Sequence, residues 1–275
     1  MSKKITTVLS LGAGVQSSTV ALMSAKGDLP PVDVAIFSDT GWEPKAVYEW
    51  LDWLETQLPF PVHRVAKSNI REDQIEARAL GQAVEGKRWA SMPYYIKNPD
   101  GSRGMVRRQC TSEYKIQPIE KFIKSQILGL KHRQRMPKEH VIDQWFGISL
   151  DEIQRCKVPF VDKWRRNVYP LVERRMTRGH CLEWMAENNF PPPPRSACIG
   201  CPFHSDEEWQ RIKNGPADEW ESLVEFDKAV RHAEGMRGET YLHRSCLPID
   251  QVNFQTAEEA GQMSLLDECE GMCGL

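Results

Sequence analysis

The first 109 residues of this 275-residue chain contain no cysteine, although eight follow at positions 110, 156, 181, 198, 201, 246, 269 and 273. The chain also has no apolar run near the roughly 18 residues of a membrane span. The opening Met1-Ser2-Lys3-Lys4 leads through a short apolar stretch into a glycine turn rather than a cleavage site. An excess of one charge is missing too. Lysine and arginine total 36 against 38 acids, a net charge of -2, which argues against a generic polyanion-binding surface. These absences exclude a membrane protein and a small secreted disulfide scaffold. They predict a cytoplasmic protein, where clustered cysteines carry metal or thiol chemistry.

What is present is ordinary globular composition, 40% hydrophobic and 27% charged. At about 150 residues per domain, the length suits one large or two small domains. Ile5 to Leu11 reads as a strand, Ser17 to Lys26 as a helix and Val32 to Phe37 as a second strand. Between Pro44 and Leu58, the apolar residues Val47, Trp50, Leu51, Leu54 and Leu58 keep one helical face. Pro61 to Val65 reads as a third strand. This alternation predicts an α/β fold with a doubly wound, mostly parallel sheet.

Further on, Asn98-Pro99-Asp100-Gly101 marks a turn between two strands. Tyr114 to Leu128 reads as a helix, His140 to Ile148 as a strand and Thr177 to Asn188 as a helix capped by Thr177. After Pro191 to Pro194, helices are expected over Glu207 to Lys213 and Ala217 to Ala233. The expected organisation is an α/β nucleotide-binding domain over 1–190, a helical cysteine-bearing region over 191–254, and a flexible tail over 255–275.

The segment from Ser10 to Ser18 joins the first strand to the first helix. Gly12 and Gly14 allow close backbone approach, and the helix N-terminus offers free N–H groups to a phosphate. It lacks the lysine of a Walker loop, and Ser17 stands where a dinucleotide loop has its third glycine. At the end of the second strand, Asp39 and Thr40 sit where a parallel sheet gathers ligand-binding groups, or they form only a turn and a helix cap. Asp39 would take a nucleotide hydrogen bond or a magnesium ion.

Cys198-Ile199-Gly200-Cys201 has the spacing that turns two thiolates towards one metal or cluster. Two ligands do not complete a site, and Cys110 lies 88 residues before Cys198. Cys156 and Cys181 fall within helical patterns that suit buried core positions. His204 is a further zinc-ligand candidate. Arg103, Arg107, Arg108 and Lys115 flank Cys110 and suit phosphate or sulfate oxygens. Basic runs at Lys131 to Arg135 and Lys163 to Arg166 would suit tRNA or DNA, with Trp164 for stacking, or are simply solvated faces.

Together these motifs resemble the PP-loop ATP pyrophosphatase superfamily, and within it the phosphoadenosine phosphosulfate (PAPS) reductase-like family. The Ser-Gly-Gly-x-Asp-Ser loop of that family is matched by Gly12-Ala13-Gly14-Val15-Gln16-Ser17. Here glycine replaces the first serine and Gln16 the aspartate. Asp39-Thr40-Gly41-Trp42-Glu43-Pro44 is similar to the segment that follows the second strand in the reductase-like branch. Iron–sulfur adenylylsulfate reductases place a cysteine pair before a Lys-x-x-Pro helix and a Cys-x-x-Cys later. Gln109-Cys110 and Lys115-Ile116-Gln117-Pro118 resemble the first part, with one cysteine of the pair missing.

The resemblance implies an adenine nucleotide alpha hydrolase-like fold. It implies nucleotide binding by Ser10, Gly12, Ala13, Gly14, Gln16, Ser17, Ser18, Asp39 and Thr40, with ATP or another adenylyl nucleotide and Mg2+. A [4Fe-4S] cluster, or zinc as the alternative, is expected on Cys110, Cys198 and Cys201. Cys246 is the first choice for fourth ligand and Cys181 the second. Arg107, Arg108 and Lys115 would hold substrate anions. Sulfonucleotide reductases end in a Glu-Cys-Gly tail, so Cys269 and Cys273 are the candidate catalytic thiols. Three functions follow: PAPS or adenylylsulfate reduction with a thiol reductant, ATP-dependent thiolation of tRNA or DNA with a sulfur donor, or a zinc-stabilised binding module without turnover.

Overall fold

The computed structural model describes residues 5–79, 91–160, 162–232 and 238–254. The first half comprises β1 (Thr6–Leu11), α1 (Val15–Lys26), β2 (Val34–Asp39), α2 (Lys45–Gln57), β3 (Val62–Ala66), α3 (Ile70–Ala79), β4 (Tyr95–Lys97) and β5 (Arg103–Met105). Next comes a helix whose ends are π-helical, Thr111–Ile116 and Ile123–Ile127, around α4 (Gln117–Phe122). The remainder is β6 (Ile142–Phe146), β7 (Arg165–Val168), α5 (Pro170–Glu173), α6 (Arg178–Glu187), α7 (Asp206–Lys213), α8 (Ala217–Ala229) and β8 (Glu239–Tyr241).

Five strands form one parallel sheet in the order β3-β2-β1-β6-β7. Alternate residues on each strand face opposite sides. Leu9, Ala35, Phe37 and Trp145 meet α1, α2 and α6 on one face, while Val8, Ile36 and Ile142 meet Ile119 and Ile123 on the other. Covered on both faces, the central strands are continuously apolar, as in Ala35-Ile36-Phe37. The fold is therefore α/β and doubly wound, as expected. The chain winds outward from β1 through β2 to β3, then resumes beyond β1 with β6 and β7. This reversal between β1 and β6 opens a crevice at the C-terminal ends of the strands.

A second core joins Trp42, Ile70, Met92, Tyr94 and Tyr114 to Cys198, Ile199, Trp209, Leu223 and Phe226. It mixes residues from both sides of position 190. The turn at 98–101 links β4 and β5 as an antiparallel pair, and β8 pairs with β4 on its other side. No helix among the described residues is long and apolar enough to cross a membrane.

Several elements differ from the sequence reading. α1 begins at Val15 rather than Ser17, and α8 ends at Ala229 rather than Ala233. Lys163 to Arg166, read as a basic run with a stacking tryptophan, leads into β7 instead. Trp164 and Arg165 are buried, at 6% and 8% exposure. Arg165 binds Glu120 at 3.0 Å, Gln144 at 2.9 Å and Asp162 at 3.1 Å, and Arg166 binds Asp143 at 2.8 Å. Burial of an arginine requires such partners, so Arg165 is spent inside the protein and Trp164 presents no ring for stacking, while Lys163 and Arg166 stay exposed. Lys131 to Arg135 are exposed, as a solvated basic face would be.

Candidate nucleotide cleft and cysteine pocket

Ser10, Gly12, Gly14, Gln16 and Ser17 line an open cleft at the crevice between β1 and β6. The cleft is open to solvent, and its walls come from the loop, the β6 end and the segment around Arg195. The loop has its own scaffold. Ser17 Oγ accepts the Gly12 N–H at 3.1 Å and donates to the Gly14 carbonyl at 3.3 Å. Ser10 Oγ accepts from Gln144 Nε2 at 2.7 Å, and Ser196 Oγ donates to the Gly12 carbonyl. Gly14 caps α1, whose first turn has neither a side-chain cap nor an acidic residue. The positive helix end therefore faces the cleft with no cap or acid of its own, an arrangement that suits an anion.

Two other predicted loop residues do not line the cleft. Ala13 is fully buried with φ 58°, and Ser18 is fully buried and accepts Trp50 Nε1 at 3.0 Å. Ser18 is on the core face of α1, so its hydroxyl holds α2 in place. Asp39 ends β2 and lines neither the cleft nor the cysteine pocket; it accepts the Gly41 N–H at 2.7 Å and the Tyr48 hydroxyl at 2.9 Å. Burial, together with that bond, holds the Tyr48 phenol protonated well above its usual range.

The structure adds residues that the motifs did not reveal. Arg155, Arg178 and Arg195 join Lys115 as cations lining the cleft, and Glu152 lines it as well. Gly147, after β6, packs so closely on α1 that a Cβ would lie 2.5 Å from Ser17 N. These residues come from four distant segments. A local pattern carries no sign of them, although Gly147 at a strand end was a readable signal.

Cys110, Cys198 and Cys201 line one second pocket, with Thr40, Arg108 and Lys115. The helix that starts at Thr111 brings Cys110 to the Cys-x-x-Cys loop. Ile199 N–H donates to the Trp42 carbonyl at 2.9 Å, and His204 Nε2 donates to the Cys198 carbonyl at 3.0 Å. Burial pushes the His204 imidazole down to about 3. His204 thus braces the loop as a neutral ring. Thr40 Oγ1 lies 3.1 Å from both Cys198 Sγ and Glu43 Oε1, so Thr40 belongs to this pocket rather than to the cleft. Lys115 lines both sites and reaches Glu43 at 3.6 Å. Arg107 is exposed and lines neither.

The other cysteines lie apart. Cys246 has φ 55°, and its Sγ sits against the Ile96 and Arg244 carbonyls at 4.0 and 3.9 Å. It is not among the residues of the three-cysteine pocket, because the turn after β8 directs it to the small antiparallel sheet. Cys181 is fully buried beside α1, and burial pushes its thiol up to about 12. Cys156, half-buried, packs against Phe146, Ile148 and Tyr169. Cys269 and Cys273 lie outside the described residues.

Zinc and an iron–sulfur cluster make different demands on a cysteine pocket. A single zinc ion needs its donors to converge within about 2.3 Å of one point. No three His, Cys, Asp or Glu side chains among the described residues gather in that way. A cluster is larger and spreads its ligands over several irons. Arg108 Nη1 is buried without a hydrogen-bond partner among the described residues, and its guanidinium lies 5.7 Å from the Phe203 ring centre. A buried donor of that kind suits an anionic cluster with accepting sulfides. Three thiols, a lysine and an arginine thus share this pocket.

Fold and site together define a doubly wound α/β protein with a cation-lined cleft at its switch point and a thiol-lined pocket beside it. No protein-family profile matches the chain, and no curated protein does. Among solved structures, the chain is similar to a phosphoadenylyl-sulfate (PAPS) reductase from Candida auris in its phosphate complex, at 17% identity and a TM-score of 0.42, covering 70% of this chain and 76% of that one. It is also similar to the U34-tRNA thiolase NcsA from Methanococcus maripaludis with its [4Fe-4S] cluster, at 13% identity and a TM-score of 0.37, covering 98% and 80%.

Proposed function

We propose that this protein is a nucleotide-binding iron–sulfur enzyme of sulfur chemistry, of the PAPS reductase-like PP-loop type. One observation carries the reading: Cys110, Cys198 and Cys201 share a pocket whose wall, Lys115, is also a wall of the nucleotide cleft. Gly12, Gly14, Gln16 and Ser17 would hold the phosphates, with Lys115 and the cleft arginines neutralising their charge. The three cysteines would hold a [4Fe-4S] cluster, which supplies an electron-transfer or sulfur-binding centre. Thr40 and Arg108 would donate hydrogen bonds around it, and Glu43 would keep Lys115 charged and oriented between the sites.

Reduction of PAPS or adenylylsulfate would use a tail thiol, Cys269 or Cys273, as nucleophile and an external thiol reductant to regenerate it. A specific observation favours the second reading, ATP-dependent thiolation of tRNA or DNA. Among the described residues the pocket gathers three cysteines without Cys246, which would leave one iron position for a sulfur donor.

The test is anaerobic purification with iron, sulfide and zinc analysis, followed by incubation with ATP, adenylylsulfate or PAPS. Iron and sulfide that depend on Cys110, Cys198 and Cys201 are expected, and Cys246→Ala should retain them. Zinc at full occupancy without iron would reject the cluster. Sulfite release supports reduction, whereas pyrophosphate and AMP without sulfite support adenylation and thiolation.

A further inference from the structure

After the 3-10 turn Leu150–Arg155, at the cleft, the chain runs back beside β7. Lys157 N–H donates to the Tyr169 hydroxyl at 2.8 Å, Asn167 Nδ2 to the Val158 carbonyl at 3.2 Å, and Asn167 N–H to the Pro159 carbonyl at 2.6 Å. Residues 157–160 therefore follow the outer flank of β7, the edge strand, from its cleft end to its opposite end. The loop 131–138 leads into β6, and Val141 N–H donates to the Trp164 carbonyl at 3.0 Å, so this loop and Lys163 share that opposite end. His140 joins them to the flank, its ring perpendicular to that of Phe160 at 5.4 Å between centres.

This strip differs from a plain solvated face. Of the six large apolar side chains exposed among the described residues, three belong to it: Ile153 at 51%, Val158 at 67% and Phe160 at 53%. One exposed apolar residue is ordinary, but a group of them marks a contact surface. Lys131, Arg133, Arg135, Lys138, Lys157 and Lys163 accompany them, all exposed and none in an ion pair among the described residues. Nearby acids are engaged, Asp143 by His140 and Arg166, Asp162 by Arg165 and Glu152 by Arg155, and Glu139 is the other acid of the loop. The strip thus carries a surplus of positive charge although the whole chain has a net charge of -2.

The interleaving of cations with an exposed ring selects the partner. Single-stranded nucleic acid alternates phosphates with flat bases, and proteins hold it with cations along the backbone and aromatic side chains against the bases. An acidic peptide would use the cations and leave Phe160 without a role. At the other end of the strip, Arg155 continues the positive charge into the cleft beside Lys115, Arg178 and Arg195. We infer that the flank of β7 binds a single-stranded nucleic-acid segment, with Phe160 stacking on a base and the 131–138 loop, Lys157 and Lys163 on its phosphates. The strand runs along the flank towards the cleft. Phe160 takes the stacking part that buried Trp164, four residues later, cannot play. The inference deepens the thiolation reading above, on which it rests for the reaction at the bound strand, and adds where that strand lies.

The test is fluorescence anisotropy of labelled oligonucleotides of about 12 nucleotides, as single-stranded RNA, single-stranded DNA and duplex DNA, with the full-length protein over a salt series. Single strands should bind more tightly than duplex, and the tighter of the RNA and DNA arms names the polymer. Phe160→Ala should weaken single-strand binding at least ~fivefold, and Phe160→Trp should retain it. Lys131→Gln, Arg133→Gln and Arg135→Gln combined should weaken binding and reduce its logarithmic salt slope by about 2. Thermal unfolding, ATP affinity and iron content should stay unchanged in these variants, because the altered side chains are exposed and line neither the cleft nor the cysteine pocket. Unchanged single-strand affinity in Phe160→Ala overturns the inference, as does tighter binding of duplex. Poly-glutamate or phosphatidylserine vesicles bound as tightly as the oligonucleotides, with the same loss in Phe160→Ala, would assign the strip to another anion and overturn it too. No oligonucleotide binding by protein that binds ATP and iron overturns the strip and leaves the proposed enzyme intact. Oligonucleotide binding that depends on Phe160, in protein that binds no ATP, supports the strip and rejects the enzyme.

Discussion

Gly200 shows how tightly a single residue constrains the cysteine pocket. A Cβ there would lie 2.2 Å from the Trp42 ring, which packs against the loop between Cys198 and Cys201. The indole pressed against Gly200 leaves no room for a side chain. Gly200→Ala should therefore destabilise the protein by about 1–3 kcal/mol in urea unfolding and reduce iron bound per chain. An unchanged midpoint with full iron would show that the loop relaxes freely.

His243 gives a pH dependence at the same scale. Burial holds its imidazole below the usual value, although Asp206 at 3.1 Å pulls the other way. The unfolded chain therefore takes up the proton first as pH falls. The contribution is fully present above the unfolded value of about 6.5 and is lost as pH falls below it. Thermal unfolding between pH 7.5 and 5.5 (~2 units across that value) should show a falling midpoint. His243→Asn should flatten the dependence, and an equally steep decline in that variant would assign it to other groups.

Among the elements, α6 illustrates a cap that was readable in advance. Thr177 Oγ1 accepts the His180 N–H at 3.3 Å, and His180 Nδ1 returns a bond from the Thr177 N–H at 3.2 Å. This reciprocal pair satisfies two donors that a helix start leaves open. Thr177→Ala should cost about 1 kcal/mol, measured by denaturant unfolding, with nucleotide affinity and iron content unchanged. β7 is the contrasting case. Arg165-Arg166-Asn167-Val168 has no apolar alternation, so a local pattern reads it as a charged loop. It forms a strand because Glu120, Gln144, Asp162 and Asp143 meet its guanidiniums. α3 was hidden in the same way, since Ile70 to Ala79 is strongly polar and its anchor, Ile70, packs in the second core.

For the whole molecule, the decisive relation is that between cleft and pocket. Lys115 lines both, held by Glu43. Lys115→Gln should weaken ATP binding on the order of tenfold, or about 1.4 kcal/mol, in a titration at low salt. Unchanged affinity would assign Lys115 to the cysteine pocket alone. The second core bears on the same relation. It joins Trp42 and Tyr114, beside the ends of the early strands, to Cys198 and Trp209, so one packed core holds the Cys-x-x-Cys loop against the sheet domain.

Local chemistry could be read from the chain alone: strands with continuous apolar runs, a glycine turn before a helix, two cysteines spaced for one centre, a threonine cap. Each depends on residues within about a dozen positions, and the doubly wound sheet follows from their alternation. What depends on distant residues was decided only in three dimensions. The strand reversal between β1 and β6 brings Glu152 to Gln16, and the helix from Thr111 carries Cys110 to Cys198. The turn after β8 takes Cys246 elsewhere, and Trp164 is buried beneath its own arginine. In each case the interaction energy is shared between segments far apart in the chain, and no window of sequence contains both partners.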